Sequence, residues 1–176
     1  MKKILPFLFM LMATTAVAQN KDYILSTDGI GALKLGMPLT ELEKILQTKV
    51  KLKVINIDPV VLVETIKAKY KGIDVEIDLW KRQDYIAVDG IRTRSPLCKT
   101  ASGIGIGSNK LQIINAFEGY NIDILPVYEG EDKPVKSKTK TMINVKEEAE
   151  GYAILFHLLN NKVVSIEIFP DYDDEE

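Results

Sequence analysis

The sequence predicts an α+β protein of two tandem helix-plus-antiparallel-meander units, with the helices packed on one sheet face. Three observations carry that reading. First, two stretches share one design. Superposing Gly36 on Gly107 puts Leu33 and Leu35 over Ile104 and Ile106, Leu42 over Ile113, and Leu46 over Phe117. Apolar residues at alternate positions before each glycine suit a half-buried strand, and their four-residue recurrence afterwards suits a helix face. Second, Gly72–Trp80 alternates cleanly, with Ile73, Val75, Ile77 and Leu79 on one side and Asp74, Glu76, Asp78 and Trp80 on the other. Third, Gly151–Leu158 echoes Gly72–Leu79, and Val163–Ile168 echoes Val88–Thr93. Such self-similarity is the mark of a repeated unit.

Taken in order, the chain begins with a targeting segment. Met1-Lys2-Lys3 is a basic start, Ile4–Met12 an apolar core, and Ala16-Val17-Ala18 a small-x-small cleavage site. Residues 1–18 read as a signal peptide whose removal leaves Gln19 first. Its apolar run is too short for a permanent membrane span, and no cysteine stands at the junction to take a lipid. The expectation is a periplasmic or secreted chain with no transmembrane segment after cleavage. The first unit then covers 19–98, the second 99–170, and 171–176 form an acidic tail.

In the first unit, Tyr23-Ile24-Leu25 suggests an edge strand. Pro38 suits the first turn of a helix after Gly36, where its missing N–H costs nothing. Thr40 and Glu43 have capping-box spacing for a slightly later start. Lys49–Val54 alternates as a strand with one wet side. Asp58-Pro59 breaks the chain, and Val60–Tyr70 returns to extended character. Lys71-Gly72 and Lys81–Asp84 are turns around the long strand, and Tyr85–Thr93 is the next strand. These connections are too short for crossovers, so the strands pair antiparallel.

Ser95–Thr100 marks the boundary between units. In the second unit, Asn121–Val127 suggests a short strand. Residues 129–141 are rich in lysine and poor in apolar groups, which predicts a mobile loop or hairpin tip. The glycine-to-glycine interval is longer here than in the first unit, and the surplus fits inside this stretch. Asn160-Asn161 suits a tight hairpin turn.

Composition narrows the chemistry. The 23 basic side chains are outnumbered by 25 acidic ones, and cleavage would remove Lys2 and Lys3 as well. That balance argues against non-specific nucleic-acid binding, which depends on phosphate neutralisation. Cys98 is the single cysteine, so the chain forms no internal disulfide and the thiol reads as a buried, inert group. The Gly103-Ile104-Gly105-Ile106-Gly107 run misses the dinucleotide fingerprint, whose third glycine stands one residue later. Gly107 reads as a turn.

No catalytic, cofactor-binding or metal-binding residues are assigned. His157 is the single histidine, and no Gly-x-Ser-x-Gly nucleophile motif occurs. One histidine and one cysteine cannot make the usual zinc site. Asp171, Asp173 and Asp174 lack the glycine and spaced glutamate of an EF-hand. The lysines of 129–141 read as a solvated loop before they read as a dock for an acidic partner.

The φ-x-φ-Gly, helix and antiparallel-strand unit, duplicated behind a signal peptide, resembles the β-lactamase-inhibitor-protein and small outer-membrane-assembly-lipoprotein (SmpA/OmlA) fold group. Leu35-Gly36-Met37-Pro38-Leu39-Thr40-Glu41-Leu42 is similar to that group's Gly-Met-Thr-type helix start. The Val-Ala-Gln junction and Thr100–Ser108 also resemble small exported Bacteroidetes proteins without assigned chemistry. The fold-group resemblance implies protein binding through a sheet face and brings no catalytic residues. The chain lacks the group's lipid-attachment cysteine and the inhibitor's disulfides.

The functional expectation is therefore an exported, non-catalytic binding or envelope-associated protein. Its partner would be a protein, met on an open sheet face carrying Asp74, Glu76, Asp78, Trp80, Ala153, Leu155 and His157. The competing reading is a hydrolase whose site assembles from scattered residues including His157.

Overall fold

The structure, a computed structural model, describes residues 20–52, 62–82, 85–147 and 151–171. A 3-10 turn at Lys21–Tyr23 leads into β1 (Ile24–Ser26), β2 (Gly29–Ile30) and β3 (Leu33–Lys34), followed by α1 (Leu39–Leu46). Three antiparallel strands come next: β4 (Leu62–Tyr70), β5 (Ile73–Arg82) and β6 (Tyr85–Thr93). After β7 (Lys99–Thr100) and α2 (Lys110–Ala116) the chain forms β8 (Asn121–Glu129), β9 (Val135–Glu147), β10 (Tyr152–Leu159) and β11 (Lys162–Pro170).

This architecture overturns the α+β expectation of two helix-plus-meander units. The protein is mostly β: among the described residues, strands account for 56% and helices for 13%. The strands assigned to two separate meanders join along β6 and β11 into one seven-stranded antiparallel sheet, in the order β4-β5-β6-β11-β10-β9-β8. A second sheet of four short strands, β3-β2-β1-β7, was not anticipated. Strands of two or three residues are too brief to show a period in sequence. The two α-helices among the described residues, of eight and seven residues, are too short to form a layer of their own.

The local glycine turns hold nonetheless. Gly36 and Gly107 have φ of 73° and 88°, in the left-handed region that glycine enters without steric cost. Each turn docks on the large sheet by a matching pair of bonds. Gly36 N donates to Val88 O at 2.7 Å and Val88 N to Met37 O at 2.9 Å, while Gly107 N donates to Val163 O and Val163 N to Ser108 O, both at 2.9 Å. The helices then start differently. Pro38 occupies the N-cap of α1 without a side-chain cap bond, so the Thr40–Glu43 box is not used. Asn109 caps α2 in a full capping box with Gln112.

Other boundaries also moved. Tyr23 lies in the 3-10 turn, and β1 is an interior strand paired to both β2 and β7. Lys49–Leu52 form no strand, and Val54 lies outside the described residues. Around Gly105 there is a single bridge to Lys99 in place of a strand. Most of the lysine-rich stretch is strand: β8 runs to Glu129 and β9 begins at Val135. Asn160 and Asn161, with φ of 49° and 61°, make the tight turn between β10 and β11.

One buried cluster unites the elements. Leu42 of α1, Ile113 of α2, and Leu25 and Ile30 of the small sheet belong to the same cluster as Ile77, Ile91, Phe156 and Ile168 of the large sheet. Both helices and the small sheet therefore cover one face of the seven strands. Leu42 and Ile113 are each 0% exposed, and each such burial contributes about 1.5–3 kcal/mol. Tyr70, also fully buried, accepts a bond on its hydroxyl from Ala32 N at 3.0 Å, tying β4 to the small sheet. Cys98 is 0% exposed, and burial pushes its thiol pKa up despite hydrogen bonds to Thr93 and Ser95.

Candidate functional site on the open face of the large sheet

Alternation along β5 assigns the two faces. Ile73, Val75, Ile77 and Leu79 are buried beneath the helices and small sheet, while Asp74, Glu76, Asp78 and Trp80 turn to the opposite, open face. Ala153, Leu155 and His157 of β10 share that face, because Phe156 and Leu158 alternate into the core. All seven sequence-predicted residues thus lie on one side of one sheet.

Strand register decides which of them meet. Lys67, Glu76, Arg92, Glu167, Leu155 and Asn144 form a continuous row across β4, β5, β6, β11, β10 and β9. Arg92 is its centre. Its Nη2 donates to Glu167 Oε1 at 2.7 Å and its Nε to Glu167 Oε2 at 3.2 Å, while Nη1 donates to Glu76 Oε2 at 3.2 Å. The Lys67 ammonium stands 3.8 Å from the other Glu76 oxygen. On the far side, His157 Nε2 lies 3.2 Å from Glu167 Oε2.

Two-point contact between guanidinium and carboxylate is the strong form of this bond. Burial pushes the Glu167 carboxyl up, but hydrogen bonds from His157 and Arg92 and the Arg92 charge outweigh it and hold the pKa at about 2. The bond to Glu167 likewise raises Arg92 above its ordinary value, against the cost of burial.

The remaining predicted residues sit apart from this centre. Asp74 is an exposed partner of Lys69 at 2.8 Å. Asp78 accepts from Thr65 Oγ1 at 2.6 Å, and a Cβ on Gly90 would come within 2.8 Å of its Oδ2. Trp80 is half-buried opposite Ala87. Ala153 is 0% exposed between its cross-strand neighbours Lys146 and Phe169. Glu76, Leu155 and His157 are the ones brought to the centre. Arg92 and Glu167, which organise it, were missed.

Two further residues matter here. Ser165 stands directly across from His157, and Asn144 directly across from Leu155. Ser165 Oγ and Asn144 Oδ1 are buried without a hydrogen-bond partner. A serine, a histidine and a glutamate are therefore adjacent. They do not make a nucleophile–base pair in this arrangement, because Ser165 Oγ makes no bond to the imidazole and has no open approach. Among the described residues, no group of three or more His, Cys, Asp or Glu side chains converges on a metal position, and no helix is long and apolar enough to cross a membrane.

Fold and site together define a β-rich protein with one covered sheet face and one polar, partly apolar open face. No family model matches the chain, and no curated protein or solved structure matches it.

Proposed function

We propose that this chain is an exported, non-catalytic binding or envelope-associated protein that recognises a protein partner through the open face of its seven-stranded sheet. The observation that carries the reading is the placement of half-buried Leu155 and His157 beside the braced Glu76–Arg92–Glu167 row, opposite every element that builds the core. Apolar surface rimmed by fixed charge is the usual composition of a partner site. Trp80 extends the same face, and tryptophan is enriched among interface anchors. The resemblance of Leu35–Leu42 to a fold group that binds proteins through a sheet face supports the same reading. The basic start, apolar core and Ala-x-Ala site of 1–18 support export.

The test uses the chain beginning at Gln19, immobilised to capture partners from envelope extract. For any captured partner, Trp80→Ala and Leu155→Asp should each weaken binding by about tenfold or more, as loss of an interface anchor does, with circular dichroism unchanged. Undiminished affinity in both folded variants rules this face out. Intact mass of the fractionated protein checks export: an unprocessed chain in the cytoplasm contradicts it.

A further inference from the structure

The open face has a charge pattern of its own. A cavity of about 380 Å³ lies on it at the β4–β6 end, walled by Lys67, Lys69, Arg92 and Arg94 against Asp74 and Glu76. Four cations meet three carboxylates once Glu167, the two-point partner of Arg92 on β11, is counted with Asp74 and Glu76, in a chain whose overall formal charge is −2. Lys69 is held by Asp74, Lys67 by Glu76, and Arg92 by Glu167 and Glu76 together. Arg94 is exposed and has no carboxylate partner among the described residues. An arginine left over in a trough of net positive charge points to an anionic group on the ligand.

The other end of the face needs different chemistry. Asn144 is 6% and Ser165 7% exposed, and both leave a buried oxygen unbonded. A buried unmet polar group costs about 1–3 kcal/mol. A carbonyl oxygen is relieved only by a donor. A phosphate headgroup supplies acceptors alone. A peptide supplies both carboxylates and backbone N–H donors. From β6 to β9 is three strand spacings, roughly 14 Å, which about four or five extended residues span.

From this we infer that the open face takes an acidic, extended peptide segment of the partner, with a carboxylate at Arg94 and backbone N–H groups reaching Asn144. The inference rests on the proposed function and names the partner's chemistry.

The experiment probes an array of short random peptides with the chain beginning at Gln19. Bound peptides should be enriched in Asp and Glu. The best binder, fluorescein-labelled and followed by anisotropy, should lose affinity as salt rises. It should bind Arg94→Glu about tenfold or more weakly, the order of one charge-assisted bond. Asn144→Leu should weaken the peptide while leaving the urea midpoint equal or higher, since it removes an unmet buried carbonyl. A merely structural asparagine would lower that midpoint instead. Absence of acidic enrichment, or binding indifferent to Arg94→Glu, overturns the inference. So does attachment to phosphatidylglycerol vesicles that the peptide fails to displace. A captured partner sensitive to Leu155→Asp but indifferent to both salt and Arg94→Glu would leave the binding face standing and remove the acidic occupant alone.

Discussion

Replacing Glu167 by Gln should destabilise the protein in a pH-dependent way, because this carboxylate joins Arg92 of β6 to His157 of β10. Its pKa is drawn from 4.5 to about 2, a displacement worth roughly 3 kcal/mol at full strength. Glu167 and Arg92 remain 18% and 30% exposed, so solvent screening brings the expected effect down to about 1–2 kcal/mol. The sign follows from the depressed pKa. Stabilisation by Glu167 is complete above its unfolded value of 4.5 and is lost as pH falls towards about 2. Urea unfolding followed by circular dichroism measures this on wild type and Glu167→Gln across that window. The variant should be weaker at neutral pH by the stated amount, and the gap should close as acid protonates the wild-type carboxylate. Other carboxylates whose pKa is lowered by a lysine partner, such as Glu43 and Asp28, are common to both proteins and cancel in the difference. A gap that stays constant between neutral pH and about pH 2 would refute the ionised Glu167 carboxylate as the source of the stabilisation.

Two further outcomes test the core. A Cβ on Gly31 would lie 2.3 Å from Asp22 O and 2.7 Å from the Tyr70 hydroxyl, at a φ of +55°, whereas a Cβ on Gly36 meets nothing within 4 Å. Gly31→Ala should therefore lower stability by more than about 2 kcal/mol and Gly36→Ala by about 1–2 kcal/mol, read from urea midpoints at an unchanged slope; equal effects would mean the small sheet does not pack on Tyr70 as described. Cys98, buried with a raised thiol pKa, should react with iodoacetamide at least about a thousandfold more slowly in the native protein than in urea. Mass spectrometry of the alkylated chain decides it, and rapid native labelling would place the thiol at the surface.

The legible parts of the fold were those set by local physics. Gly36, Gly107 and the Asn160-Asn161 pair were read as turns, and each adopts positive φ. Period-two alternation located β5, β6, β10 and β11 closely, because one buried face imposes that pattern residue by residue. What failed was class and assembly. No local signal distinguishes two small sheets from one large one, since that depends on whether β6 and β11 pair along their edges. The small sheet escaped for a related reason: Lys99–Thr100 pairs in parallel with Ile24–Leu25 across most of the first half of the chain, and two residues carry no period. Of the two expectations for 129–141, a mobile loop or a hairpin tip, the hairpin is the one present, with strands that reach further into the stretch than its lack of apolar residues predicts. A projecting hairpin needs only cross-strand bonds, as Tyr128↔Lys136 and Glu129↔Val135 show.

For the site, alternation identified a face but not its neighbours. Trp80 drew attention as the single tryptophan, and it stands opposite Ala87, away from the charged centre. Arg92 and Glu167 were overlooked because each looked like an ordinary polar position on its own strand. The relation between them was nevertheless present in the echo of Val163–Ile168 on Val88–Thr93, which sets Glu167 over Arg92. When two echoing strands pair antiparallel around a local two-fold, an equivalent position falls opposite its own counterpart, and the register Arg92↔Glu167, flanked by Thr93↔Ile166 and Ile91↔Ile168, has that symmetry. Identical residues there would set like charges face to face, which destabilises a cross-strand pair. An arginine on one strand and a glutamate on the other make the junction attractive. Glu76 and His157 then add to the two ends of that ion pair from the next strands out. The same substitution that lets β6 and β11 join the sheet therefore also creates the charged row on which binding at this face would depend.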